Sequence, residues 1–211
     1  IRLSLVGSEM CIRDRDLSMG DGIHGEDPVW MTTAMLKAYT HPLRRKILRL
    51  LARRHHMRAA DIAAELEVAA NSVSFHLRTL ADAGLIVEAP EHARDRRDRV
   101  WAPVKGAMSV GDPDHPVADE ELGDAVVRAV AAEHQDLLQR VIAWSPEYYG
   151  GRASGIHAVF QRRTTRLTEA EFTAVMEIFD KAVAEAEAAH DDDDPEGRFW
   201  QIDLVAADDT I

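Results

Sequence analysis

The sequence predicts a mainly α fold with a smaller β content (α+β), and three observations predict it. Apolar residues recur at helical spacing through several segments between Pro42 and Val183. Two short β-type runs, Leu85–Glu88 and Arg99–Ala102, flank a polar stretch just after Gly84. Charge is unevenly spread along a chain of 211 residues with a net of −12. With 46% hydrophobic and 29% charged residues, the composition is that of an ordinary globular protein long enough to bury a core without staples. A single cysteine, Cys11, excludes a disulfide framework, a Cys-rich zinc site and an iron–sulfur cluster. No apolar run is long enough for a transmembrane helix, so no membrane partner is expected, and no Gly-rich phosphate loop occurs.

Residues 1–18 are set aside as a non-native or disordered leader. Ile1–Arg15 resembles a translated sequencing adaptor, and Met19 is the expected native start. The first domain, whose character the following residues decide as a winged helix-turn-helix DNA-binding domain, is expected over residues 19–104. Pro42 opens a helix where its missing N–H costs nothing, and Leu43, Ile47, Leu50 and Leu51 form one stripe. Arg44, Arg45, Lys46, Arg49, Arg53 and Arg54 cover much of the remaining surface. A short helix over about residues 59–66 buries Ile62 and Leu66. Three residues later a third helix runs from Ala70 to Ala83 and is stopped by Gly84.

On that third helix Leu77 and Leu80 share a face with Val73, whereas Asn71, Ser74, Phe75, Arg78 and Asp82 take the opposite one. Asn pairs with adenine, Ser bonds donors or acceptors, and an apolar group meets the thymine methyl. A short helix, a three-residue turn and a helix so decorated make a helix-turn-helix pattern, whose second helix enters the major groove. The runs 85–88 and 99–102 then read as a hairpin whose tip carries Arg94, Arg96, Arg97 and Arg99, placed for phosphates. Residues 41–104 hold twelve basic and eight acidic residues, a net of +4, against −2 before and −14 after. A basic block beside a strongly acidic one fits a polyanion-binding module joined to something else.

His41-Pro42-Leu43-Arg44-Arg45-Lys46-Ile47-Leu48, then Asn71–Leu80, then Ala83-Gly84-Leu85-Ile86 resemble the ArsR-type winged helix-turn-helix family across residues 31–104. The later part resembles actinobacterial regulators that join this domain to an acidic helical tail. The resemblance implies a homodimeric transcriptional regulator, usually a repressor released by an effector. It also implies base contacts at Ala70, Asn71, Ser74 and Phe75. Three departures stand out. Glu67 occupies the turn position usually held by Gly, at a cost of about 1 kcal/mol if left-handed. Ala69 replaces the usual Ser/Thr cap, so Asn71 is either a substitute cap or a base reader. Ala59-Ala60-Asp61-Ile62-Ala63 stands where the family's metal sensors carry a Cys pair.

Residues 105–117, with Gly106, Gly111, Pro113 and Pro116, form the expected linker, and 118–211 a dimerisation or sensing region. A helix over Asp119–Trp144 carries Leu122, Val126, Val130, Leu137 or Leu138, and Val141, a stripe suited to pairing with a second copy. Thr168-Glu169-Ala170-Glu171 is a capping box for a helix bearing Phe172, Val175, Met176, Phe179 and Val183. Alternation at Ile156, Ala158 and Phe160, and again at Trp200, Ile202 and Leu204, predicts short strands on either side of it. Trp144, Tyr148, Tyr149, Phe160 and Trp200 form either a core or a ligand pocket.

No His/Asp/Glu spacing reproduces a metal-ligand set. His55 and His56 point about 100° apart on a helix, and the i±4 neighbours of His134 are Val130 and Leu138. No nucleophile elbow is present, so neither catalytic residues nor a cofactor is expected. The combined expectation is a cytoplasmic homodimeric regulator that binds double-stranded DNA, with a small-molecule effector as a candidate further partner. The alternatives are a winged-helix protein-interaction module and a metal- or small-molecule-responsive sensor.

Overall fold

A computed structural model describes residues 29–94, 99–104, 106, 108–191 and 194–211. The architecture is mainly α, as the sequence predicts, and the described residues add two small sheets. It divides into two units. One holds the described residues up to Val127 together with Val183–His190; the other holds Arg128–Ala182 and Asp191–Ile211.

In the first unit, β1 (Val29–Trp30) leads to α1 (Thr33–Tyr39), whose cap Thr32 accepts the Met35 N–H at 3.3 Å. The helix α2 (Pro42–Arg54) starts at the expected proline, and the His41 Nδ1 caps it by accepting the Leu43 N–H at 3.1 Å. Ile47, Leu50 and Leu51 are buried along its inner stripe. Two of its arginines have local work. Arg44 donates to the carbonyls of Ala38 and Lys37, and Arg45 donates to those of Tyr39 and Thr40, so both close the carbonyl end of α1.

A two-residue strand, β2 (Met57–Arg58), precedes α3 (Ala59–Glu65), and a tight turn leads to α4 (Ala70–Asp82). Val73, Leu77 and Leu80 of α4 are fully buried where it packs against α2 and α3. Its end is a left-handed cap. Gly84 sits at φ +76°, its N–H reaches the Ala81 carbonyl, and the Leu85 N–H reaches that of Leu80. The chain then forms β3 (Ile86–Glu88), a short turn at Pro90–His92, and β4 (Val100–Pro103). β3 and β4 pair antiparallel, with Glu88 opposite Trp101, which is the wing. β4 is the central strand, because β2 pairs along its other edge with Met57 opposite Trp101. A second ladder, parallel, joins β1 to β5 (Met108–Ser109). Neither β1, β2, β5 nor α1 announces itself in the sequence, since runs of two residues carry no periodicity and α1 is only two turns long.

The helix α5 (Glu120–Tyr149) begins where Asp119 accepts the Leu122 N–H at 3.1 Å. Gly123 lies close against Val117 there, since a Cβ would come within 3.2 Å of the Val117 side chain, which would have to shift by a few tenths of an ångström. The helix outruns the expected end at Trp144 and passes through Pro146, where the Ser145 hydroxyl donates to the Val141 carbonyl. The capping box opens α6 (Glu169–Ala189) as expected: Thr168 Oγ1 accepts the Glu171 N–H, and the Glu171 carboxylate accepts the Thr168 N–H.

The two strands expected at 156–160 and 200–204 do not form. Ile156, Phe160, Trp200 and Ile202 are exposed, and neither segment has a ladder partner. Alternation marks one-sided burial, but a strand also needs a paired edge. The five aromatics likewise make no core. Trp144 touches Tyr148 and His157, whereas Tyr149, Phe160 and Trp200 stand in solvent. In this second unit the tail is held by polar contacts instead, Arg140 donating to Gln201 at 2.6 Å and His134 lying 3.9 Å from Asp203.

The α3–α4 turn stores strain at Glu67, whose φ is +53°. A Cβ in that region costs about 1–2 kcal/mol, part of which glycine gives back through its freer unfolded chain. Glu67→Gly should therefore stabilise the protein by about 0.5–1 kcal/mol, measured as a rise in denaturant midpoint at unchanged slope.

Candidate nucleic-acid interface

The outward face of α4 is set by what the inner face buries. With Val73, Leu77 and Leu80 inside, Ala70, Asn71, Phe75 and Arg78 are exposed and Ser74 is half-buried. The two readings of Asn71 separate here. The helix starts at Ala70, Ala69 occupies the cap position without a side-chain bond, and Asn71 lies exposed in the first turn. Asn71 is not a substitute cap, and the first turn keeps donors that no side chain covers. Arg78 donates from Nε to the Ser74 carbonyl at 3.2 Å, which lays the guanidinium back along the helix.

Phe75 is 57% exposed on a polar face, its ring set edge-on to His76 at 5.4 Å. His76 itself is buried as the sequence reading expected, and it lies 4.5 Å from the capping ring of His41. Its Nδ1 has no hydrogen-bond partner. Burial pushes its pKa below the ordinary 6.5, and His41 and Arg44 lower it further. His41 is depressed in the same way by burial, then by Arg44 and Arg45. No sequence signal announces this pair, because the partners lie 35 residues apart on different helices.

Of the wing arginines, Arg94 and Arg99 are exposed, and Arg96 and Arg97 lie outside the described residues. Arg99 reaches Glu88 at 3.5 Å across the hairpin. At the start of α3, Arg58 grips Asp61 with two 2.7 Å bonds, and that hydrogen bonding holds the Asp61 carboxyl below its usual range. His56 and His92 stack at 3.7 Å with rings 8° apart, tying the turn after α2 to the base of the wing. Arg78 and Ser74 of α4 and Arg99 of the wing line one cleft of about 350 Å³, together with Ala59, Leu77 and Trp101. Trp101 and the cleft itself escape sequence reasoning, because the strand register that brings β4 to α4 is a tertiary fact.

Residues 39–89 match the family described as a helix-turn-helix domain, a span that runs from the end of α1 to the start of the wing. The chain carries a helix-turn-helix domain. Among solved structures it is similar to the YusO protein of Bacillus subtilis, with 19% identity over 72% of this chain and 81% of that one, at a TM-score of 0.33. It is similar also to ZitR of Lactococcus lactis in its apo form, with 19% identity over 70% of this chain and 83% of that one, at a TM-score of 0.31. No curated protein matches the chain. Among the described residues no group of three or more His, Cys, Asp or Glu side chains is placed to hold a metal, and no helix is long and apolar enough to cross a membrane.

The buried histidine gives the helix-turn-helix a pH dependence of known sign. A folded-state pKa below the unfolded 6.5 means that the unfolded chain binds the proton more readily. The stability contributed by neutral His76 is present above that value and is lost as pH falls through the lower folded value. Thermal melts between about pH 7.5 and about pH 5 should show Tm falling with pH, and the fall should be shallower in His76→Leu.

Proposed function

We propose that the chain is a sequence-specific DNA-binding transcriptional regulator of the ArsR type, acting as a homodimer and in the sense of a repressor. In this reading α4 enters the major groove, Ala70, Asn71, Ser74 and Phe75 meet base edges, and Arg78, Arg94, Arg96, Arg97 and Arg99 meet phosphates. One observation carries it. The helix face and the wing base converge, with Ser74, Arg78 and Arg99 around a single cleft, on a domain matched as helix-turn-helix. The exposed Phe75 beside Asn71 supports it, since a large ring left in water on a polar face needs a partner.

Selection of bound duplexes from a random pool, followed by salt titrations, tests this reading. Asn71→Ala and Ser74→Ala should each weaken specific binding by about 1–3 kcal/mol and spare non-specific binding. Arg96→Ala with Arg97→Ala should weaken all duplexes alike and reduce the slope of log affinity against log salt by about 2 per protomer. Absence of any sequence preference would favour the interaction-module alternative.

The homodimer rests on the helices that follow the wing. Val126 and Val130, expected on the pairing stripe, are buried within the protomer itself, so the first half of α5 is already occupied. Further along, Leu138 and Ile142 share one exposed face, and α6 leaves Phe172, Val175 and Ile178 in water. We assign the self-association surface to these later segments, where large apolar side chains stay substantially exposed. Sedimentation of the full chain should show a dimer. Leu138→Glu combined with Ile142→Glu should weaken it by at least about tenfold while the protomer keeps its helical circular dichroism.

A further inference from the structure

We propose that residues 156–160 and 200–204 form a joint between two copies of this chain, each segment pairing antiparallel with the other segment of the second copy. The inference deepens the homodimer reading above and rests on it.

Both segments are patterned for a sheet that the single chain does not complete. Ile156, Ala158 and Phe160 fall on one side of an extended chain, and so do Trp200, Ile202 and Leu204. Among the described residues neither segment is helical, and no backbone bond joins either of them to another backbone group. Ile156, Phe160, Trp200, Ile202 and Leu204 are each more than half exposed. Unpaired backbone that carries large apolar side chains is a template for another chain.

The protomer holds its own two segments out of register. With Ala158 opposite Ile202, the apolar side of one segment meets the apolar side of the other, and His157 falls opposite Asp203. In the protomer His157 lies instead against Trp144, ring centroids 5.4 Å apart, and 3.3 Å from Arg198. Asp203 lies 3.9 Å from His134. Trp144 and His134 are ten residues apart on α5, which is about 15 Å along the helix axis. Opposed residues of a ladder need Cα atoms about 5 Å apart. The single chain does not make this ladder while it keeps its contacts with α5, and a second copy supplies each segment with the missing edge.

Charge selects the antiparallel direction. Residues 161–167, which follow Phe160, hold three arginines and no acid, a net of +3. Residues 191–199, which precede Trp200, hold five acids and one arginine, a net of −4. Antiparallel pairing lays these two flanks together, whereas parallel pairing would lay the arginines beside residues 205–211, with only two acids. A two-fold axis repeats the joint, so each copy gives one basic flank and receives another.

Charge reversal on the full chain, read by sedimentation at low salt, tests the joint. One variant carries Arg162→Glu, Arg163→Glu and Arg166→Glu; the other carries Asp191→Lys, Asp194→Lys and Glu196→Lys. All six positions are exposed, so each variant should keep the parent's circular dichroism. Each alone sets like charges against each other in both joints and should self-associate at least about tenfold more weakly than the parent. A one-to-one mixture restores opposite charges in both joints and should recover the parent's association as a mixed dimer. In a Cys11→Ser background, a chain with Ala158→Cys and a chain with Ile202→Cys should form a mixed disulfide on oxidation, and Val159→Cys with Ile202→Cys should not. A dimeric parent indifferent to both reversals, or no recovery on mixing, overturns the joint and leaves the homodimer reading standing. A disulfide that closes only within one chain carrying both Ala158→Cys and Ile202→Cys overturns it as well. A parent that sediments as a monomer removes the homodimer reading, and the joint with it.

Discussion

Burial of one stripe on α4 decides most of what the protein can present to a partner. Val73, Leu77 and Leu80 are withdrawn completely from water, each contributing about 2 kcal/mol through apolar burial. Because the helix is rigid, fixing these three fixes the azimuth of every other residue on it. Asn71, Phe75 and Arg78 face outward for that reason alone. The same stripe brings Leu77 to the wall of the cleft beside Trp101, so the wing and the helix share a boundary rather than merely lying on one chain. A residue too large or too polar at position 77 would turn the outer face as well as loosen the core.

The net charge of the chain says little about the field at this surface, and the structure sharpens that point. The basic block carries +4 in the sequence, but Arg44 and Arg45 are turned back onto the carbonyl end of α1. Arg58 is engaged by Asp61, and Arg99 by Glu88. Arg78 stands apart from these, on the outer face, and among the described residues it is bonded to a backbone carbonyl of its own helix. Among the described residues the charge on this side is therefore carried by positioned guanidiniums whose partners differ, and position matters more than the count.

The helices around the turn were legible because their signals are local. Pro42 marks a first turn, Gly84 sits in the left-handed conformation that ends α4, and the spacing of Val73, Leu77 and Leu80 gives both the helix and its inner face. Glu67 was legible as a departure from expected turn chemistry, and its positive φ bears that out. What stayed hidden depends on distant partners. β1 and β5 are two residues each and exist only because they meet. The His41–His76 contact, the Arg44 bonds and the cleft at Trp101 join elements whose approach no periodicity encodes. The failed strands at 156–160 and 200–204 show the converse, a local pattern without the neighbour that would have made it structure.

The parallel β1–β5 ladder has a mechanical meaning. It places the chain entering α1 directly beside the chain leaving the wing, with the Met31 N–H bonded to the Ser109 carbonyl at 2.8 Å. In a parallel pair the two free ends point in opposite directions along the ladder, one toward earlier residues and one toward later ones. Tension drawn between those ends would load its bonds together, in shear, instead of unzipping them one after another. A short clasp is enough to make the segments on either side of the helix-turn-helix domain pull against each other before they pull on α4.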